Sequence, residues 1–125
     1  MTVAQFKIPI AALRQNALNV FRVNDEFTVI VVQVRETIKV VRDICPHMGG
    51  PLSKGEYDPV ANTLRCPWHG YRFCLNRLEL LENPNERLWV QKLAPENADQ
   101  FTTPKFRLGS VRFKRDERYL YLEPK

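Results

Sequence analysis

Cys45-Pro46-His47-Met48-Gly49-Gly50-Pro51-Leu52 and Cys66-Pro67-Trp68-His69-Gly70-Tyr71-Arg72-Phe73 decide the reading of this 125-residue chain. Each stretch sets one thiol and one imidazole a short step apart, and 18 residues separate His47 from Cys66. Both histidines of the chain are used, together with two of its three cysteines. Two sulfur and two nitrogen donors suit a tetrahedral zinc, or a pair of irons with cysteines on one and histidines on the other. The order of donors separates the two. Structural zinc sites usually pair like ligands roughly two to four residues apart, ahead of a recognition helix. Here each half-site repeats Cys then His, so each loop can reach both irons.

The residues between the donors agree with an iron-sulfur reading. Pro46 and Pro67 fix φ just after each cysteine and remove a competing donor. Gly49, Gly50 and Gly70 are expected to let backbone amides approach bridging sulfides. Met48 and Trp68 are expected to cover the centre and exclude water, with Trp68 as plain core filling the alternative. Pro51 and Leu52 are expected to close one side.

Outward from these loops the chain reads as short strands and turns. Phe27 to Val34 (FTVIVVQV) is rich in β-branched residues and is followed, across Arg35 and Glu36, by the apolar run Ile38 to Val41, which is a hairpin by pattern. A second hairpin is predicted from Phe106 to Phe113 and Arg118 to Leu122, linked by Lys114 to Glu117, with Tyr119 and Tyr121 on one face. Only Ile10 to Leu18 is predicted as a short helix. Gln91 to Lys105, polar and containing Pro95 and Pro104, reads as an insertion in a surface loop. Neither an internal repeat nor a low-complexity tract is present.

Cys45-Pro-His-Met-Gly-Gly-Pro-Leu followed by Cys66-Pro-Trp-His-Gly-Tyr-Arg-Phe resembles the two-loop signature of Rieske-type iron-sulfur proteins, above all the ferredoxins and oxygenase domains of bacterial oxygenase systems. The resemblance covers Phe27 to Leu75. It implies one [2Fe-2S] cluster per chain, with Cys45 and Cys66 on one iron, His47 and His69 on the other, and two sulfides between them. It also implies an all-β Rieske fold of stacked antiparallel sheets, with a base of terminal strands and a small cluster-binding subdomain at about 43–84, in a single domain over 1–125.

Departures from that family's respiratory members bear on the potential. Those members carry a disulfide between the loops and Ser and Tyr hydroxyls directed at cluster sulfur. Gly50 and Trp68 stand at the two disulfide positions, Tyr71 at the serine position and Phe73 at the tyrosine position. Fewer donors leave the reduced, more negative cluster less stabilised. The expected potential therefore lies at the low end of a window of roughly −150 to +300 mV. It should fall as pH rises past the pKa values of the oxidised-state histidines, whose exposed edges are the expected electron door. Cys74 is the odd thiol and is not a ligand by this motif. It is read as a small buried residue on a strand, with redox sensing or an intermolecular disulfide as the alternative.

Composition narrows the remaining classes. A chain that is 44% hydrophobic and 26% charged fits one globular domain. No stretch approaches the roughly 18 apolar residues of a membrane span, and Met1 to Val20 lacks the parts of a secretory signal. An odd cysteine count argues against a secreted disulfide framework, so the expected location is the cytoplasm, with no membrane partner. Of the net charge of +5, four units come from Lys105 to Lys125, which holds 7 basic residues against 3 acidic. Arg107, Arg112, Lys114, Arg115 and Arg118 there read as a solvated strand face, or as a surface for an acidic protein; no nucleic-acid motif accompanies them.

With His47 and His69 in the loops, no histidine remains for a mononuclear iron held by two histidines and a carboxylate, and no nucleotide fingerprint appears. The expected function is one-electron transfer from a flavin reductase to a terminal oxygenase, by a chain that is not itself an enzyme. The alternative is a noncatalytic Rieske subunit or regulatory module of a larger oxidoreductase such as a nitrite reductase. A zinc-stabilised binding module is the third reading, which a colourless protein with one zinc per chain would establish. Oligomeric state, reductase, acceptor and final substrate stay open at this level.

Overall fold

Phe27–Val34 (β3) carries apolar residues at successive positions, a pattern strands show when both faces are covered. In the computed structural model, which describes residues 6–46, 49–68, 70–82 and 106–123, both faces are covered. Val29 and Val31 enter one core with Ile8, Ile38, Val40, Val111, Leu120 and Leu122. Ile30 and Val32 enter a second with Val41, Cys45, Leu52, Leu64, Cys66, Tyr71 and Phe73. Fully burying side chains of this size is worth roughly 1.5–3 kcal/mol each.

β3 is the centre of an antiparallel sheet of order β2-β3-β4, with β2 at Asn19–Asn24 and β4 at Thr37–Arg42. The expected β3–β4 hairpin is present, turning at Arg35 and Glu36 with Val34 opposite Thr37. Arg35 takes φ +58, and the Gln15 side chain holds it by accepting from the Arg35 N–H at 3.0 Å and donating to its carbonyl at 3.1 Å.

A terminal sheet covers the Val29–Val31 face. Its order is β1 (Phe6–Pro9), β10 (Tyr119–Glu123), β9 (Arg112–Arg115), all antiparallel. Leu120 and Leu122 point inward, so Tyr119 and Tyr121 share the outer face as expected, with the Lys7 ammonium 4.0 Å from the Tyr119 ring centroid. The second hairpin is shorter than predicted, because its first strand begins at Arg112 and not at Phe106. Residues 106–111 spend their backbone groups on two other sheets. Leu80 N–H donates to Phe106 and Leu108 N–H to Leu78, while Arg42 N–H donates to Gly109 and Val111 N–H to Val40.

The predicted Ile10–Leu18 helix is absent; only a 3₁₀ turn at Ile10–Ala12 forms. Local polar side chains take the backbone groups a helix would use. Asn19 accepts from the Arg14 N–H at 2.9 Å and donates to the carbonyls of Arg14, Ala17 and Val31, and Asn16 turns to φ +54.

The opposite face of the middle sheet carries a four-stranded antiparallel sheet, β5 (Glu56–Asp58), β6 (Thr63–Arg65), β7 (Arg72–Cys74) and β8 (Glu79–Glu82), paired in that order. The first motif loop runs from β4 towards β5 and the second joins β6 to β7, in the span expected for the cluster-binding part. The Gln91–Lys105 insertion lies outside the described residues. Among the described residues no helix is long and apolar enough to cross a membrane.

Candidate metal centre

The two motif loops are built alike. In the first, the Cys45 N–H donates to the Gly50 carbonyl at 2.8 Å, and the Gly49 N–H donates back to the Cys45 carbonyl at 2.8 Å. In the second, the Cys66 N–H donates to Tyr71 at 2.8 Å, and the Gly70 N–H to Cys66 at 3.0 Å. The residue four places after each cysteine must turn left-handed to close the loop, with φ +80 at Gly49 and +73 at Gly70. Glycine does this without strain. The Gly49 and Gly70 amides themselves are committed to the cysteine carbonyls. Their role is closure.

Each closed loop leaves its cysteine buried. Cys45 and Cys66 are both 1% exposed and share one core, against Leu52, Leu64 and Phe73. His47, Met48 and His69 lie outside the described residues. Of the pair expected to close one side, Leu52 is fully buried and Pro51 half-buried. Trp68 is 55% exposed and is not core filling; its ring lies over the backbone of Gly50. Cys74 is half-buried on β7, less enclosed than expected, opposite Thr63 and Glu79.

Two charge-assisted hydrogen-bond ties, neither evident in the sequence, fix the loops from outside. The Asp43 carboxylate accepts from the Ser53 N–H at 2.7 Å and its hydroxyl at 2.5 Å, clasping the first loop at its base. Arg65 Nη1 donates to the Gly70 carbonyl at 2.7 Å, bracing the second. Beside the β5–β6 pairing the backbone of Gly55 runs so close to β6 that a Cβ there would fall 1.8 Å from the Arg65 carbonyl oxygen. No charged residue occurs in 44–52 or 66–71, so the fixed charges nearest in sequence are Asp43, Lys54, Arg65 and Arg72.

This donor set fits a [2Fe-2S] group. Two buried thiols stand on facing, uncharged, hydrogen-bond-closed loops, and the sequence places one histidine in each of those loops. The basic residues Arg107, Arg112, Lys114, Arg115 and Arg118 are all exposed. Arg107 pairs with Glu79 at 3.2 Å and Lys114 with Glu123 at 3.8 Å, contacts that contribute little at such exposure.

A family model described as the Rieske [2Fe-2S] domain matches residues 5–94. No curated protein matches the chain significantly by sequence. Among solved structures, the ferredoxin of carbazole 1,9a-dioxygenase from Nocardioides aromaticivorans IC177 superposes with a TM-score of 0.69 at 16% identity, over 98% of this chain and 100% of that one. The Sphingomonas yanoikuyae B1 ferredoxin gives 0.64 at 13% identity, over 94% of each chain. Dicamba monooxygenase gives 0.60 at 19% identity, over 89% of this chain but 29% of that one. At these identities the likeness is one of fold.

Proposed function

The chain belongs to the Rieske [2Fe-2S] domain family, whose domain binds a [2Fe-2S] cluster, and from that premise we propose that it is a cytoplasmic one-electron carrier and not itself an enzyme. In this proposal Cys45 and Cys66 hold one iron and His47 and His69 the other, within a single domain over 1–125. The cluster, when bound, accepts and gives up one electron at a potential raised by its two neutral ligands.

The observation that carries the reading is the matched closure of the two loops. It buries both thiols, holds them on facing turns and keeps fixed charge out of the loops themselves. Preorganised, dry surroundings suit a group that changes charge without changing ligands. Both histidines fall in these loops, which leaves none within the 125 residues for a mononuclear iron.

The electron donor in this proposal is a flavin reductase and the acceptor a terminal oxygenase. Support comes from the shared fold with oxygenase-system ferredoxins, one of them solved as a complex of reduced oxygenase and oxidised ferredoxin in carbazole 1,9a-dioxygenase (TM-score 0.65, 18% identity).

Electron paramagnetic resonance of the dithionite-reduced protein tests the centre. A signal of low average g, with two irons and two acid-labile sulfides per chain, is expected. A colourless protein carrying one zinc overturns it. Purification tests the role: a carrier isolates alone and turns over between reductase and oxygenase, whereas a subunit of a larger oxidoreductase co-purifies stoichiometrically.

A further inference from the structure

The four-stranded sheet carries one row of charge across all its strands. Arg65 lies in register with Glu56 on one side and Arg72 on the other, and Arg72 lies opposite Glu82. Arg72 Nε is 3.2 Å from Glu82 Oε2, and Arg65 Nη2 is 3.9 Å from the same oxygen. The other arm of Arg65 reaches the second loop, where Nη1 binds the Gly70 carbonyl. The loop's own closure uses the Cys66 N–H and carbonyl, the Gly70 N–H and the Tyr71 carbonyl, so the Gly70 carbonyl is left to this guanidinium. A planar fork can serve a carbonyl and a carboxylate together, which an ammonium does poorly.

From this arrangement we infer that Arg65 is a positioning residue for the second loop, and that Arg65 and Glu82 together set the reduction potential of the group the loops hold. The inference rests on the functional reading above. Reduction adds negative charge to a site whose loops contain no fixed charge of their own. A cation bound to the loop backbone favours the reduced form and raises the potential. The carboxylate that shares this cation opposes it. Arg65, Arg72 and Glu82 line a groove of ≈ 310 Å³ with Glu56, Tyr57, Asp58 and Thr63. Their side chains are 34% to 47% exposed, so their fields are partly screened and respond to salt.

The test is protein-film voltammetry on holoprotein variants at low and high ionic strength, with the resonance spectrum of each reduced form. Arg65→Met removes cation and tie together and should lower the potential. Arg65→Lys keeps the charge without the fork and should lower it less. Glu82→Gln leaves the Arg65–Gly70 bond intact and should raise the potential with an unchanged spectrum. These opposite shifts should shrink in high salt, and Arg112→Met, on the terminal sheet beyond the middle one, should give none. Shifts of one sign, or no rise in Glu82→Gln, would reduce Arg65 to a structural brace and overturn the inference alone. If Arg65→Met fails to hold the cluster, Arg65→Lys and Glu82→Gln still decide the question. Absence of a Rieske signal from the unaltered protein overturns the functional reading, and this inference with it.

Discussion

Gly50 and Trp68 meet across the two loops so closely that a Cβ on Gly50 would lie 2.8 Å from Cδ2 of the indole and 3.1 Å from its Cγ. By the resemblance drawn from the motifs, these are the two positions that carry a disulfide in respiratory Rieske proteins. Here an aromatic ring laid on a bare backbone joins the loops instead, by contact and not by a covalent bond.

That contact predicts coupled mutational effects. Gly50→Ala must push the ring aside and should cost about 1–3 kcal/mol. Trp68→Ala should cost less, because the ring is already half exposed. In the double variant most of the Gly50→Ala cost should vanish. Thermal unfolding of the two single variants and the double one checks this; strictly additive costs would show that the ring yields freely.

The two-faced burial of β3 predicts that equal losses of stability have unequal consequences for the centre. Ile30→Ala and Leu120→Ala each empty a fully buried position and should each cost about 2–5 kcal/mol. Only Ile30 shares its core with Cys45 and Cys66. Release of iron to a chelator under native conditions should therefore accelerate in Ile30→Ala and stay near the native rate in Leu120→Ala. Equal acceleration in both would mean that the cluster is lost only by global unfolding.

What the sequence disclosed and what it concealed follow from the range of the interactions. The β3–β4 hairpin was legible because β-branched runs and a two-residue turn are local signals, and the two matched loops because Cys-Pro-His and Cys-Pro-Trp-His are written contiguously. Residues 106–111 were misread as strand because Leu108 and Val111 are apolar for the sake of two different sheets. The Ile10–Leu18 helix failed against Asn19 and Gln15, whose side chains reach backbone as far away as Val31 and Arg35. The Asp43–Ser53 and Arg65–Gly70 ties have no pattern in the chain, since each joins residues that only the closed loops bring together.

The β9–β10 turn should be acid-sensitive. The Tyr121 hydroxyl, donating at 2.6 Å, and then the Arg118 and Tyr119 N–H groups, each at 2.7 Å, hold the Asp116 carboxyl below its usual pKa. A carboxyl with a lowered folded pKa adds stability that is fully present above its unfolded value, roughly 3.9, and is lost as pH falls through the folded value. Asp116→Asn should flatten the decline in Tm between about pH 5 and pH 2. The same bond raises the Tyr121 pKa, so its contribution persists below the ordinary tyrosine value, roughly 10, and disappears as pH rises through the raised one. Both groups are exposed, so the slopes should be shallow. An Asn variant with an unaltered acid limb would show that the turn is held by its backbone alone.

Phe73 offers a test of how the potential is set. It is 0% exposed on β7, opposite Leu64 and Leu80, in the core that holds both thiols, and by the resemblance it stands where respiratory relatives have a sulfur-directed tyrosine hydroxyl. A hydroxyl added to that ring should cost about 1–3 kcal/mol if it finds no acceptor and much less if it reaches cluster sulfur. A donor to sulfur stabilises the reduced form, so Phe73→Tyr should raise the potential while leaving the unfolding midpoint nearly unchanged. A lowered midpoint with an unmoved potential would mean that the ring edge points into hydrocarbon. Tuning would then fall to the charged row through Arg65 and Glu82.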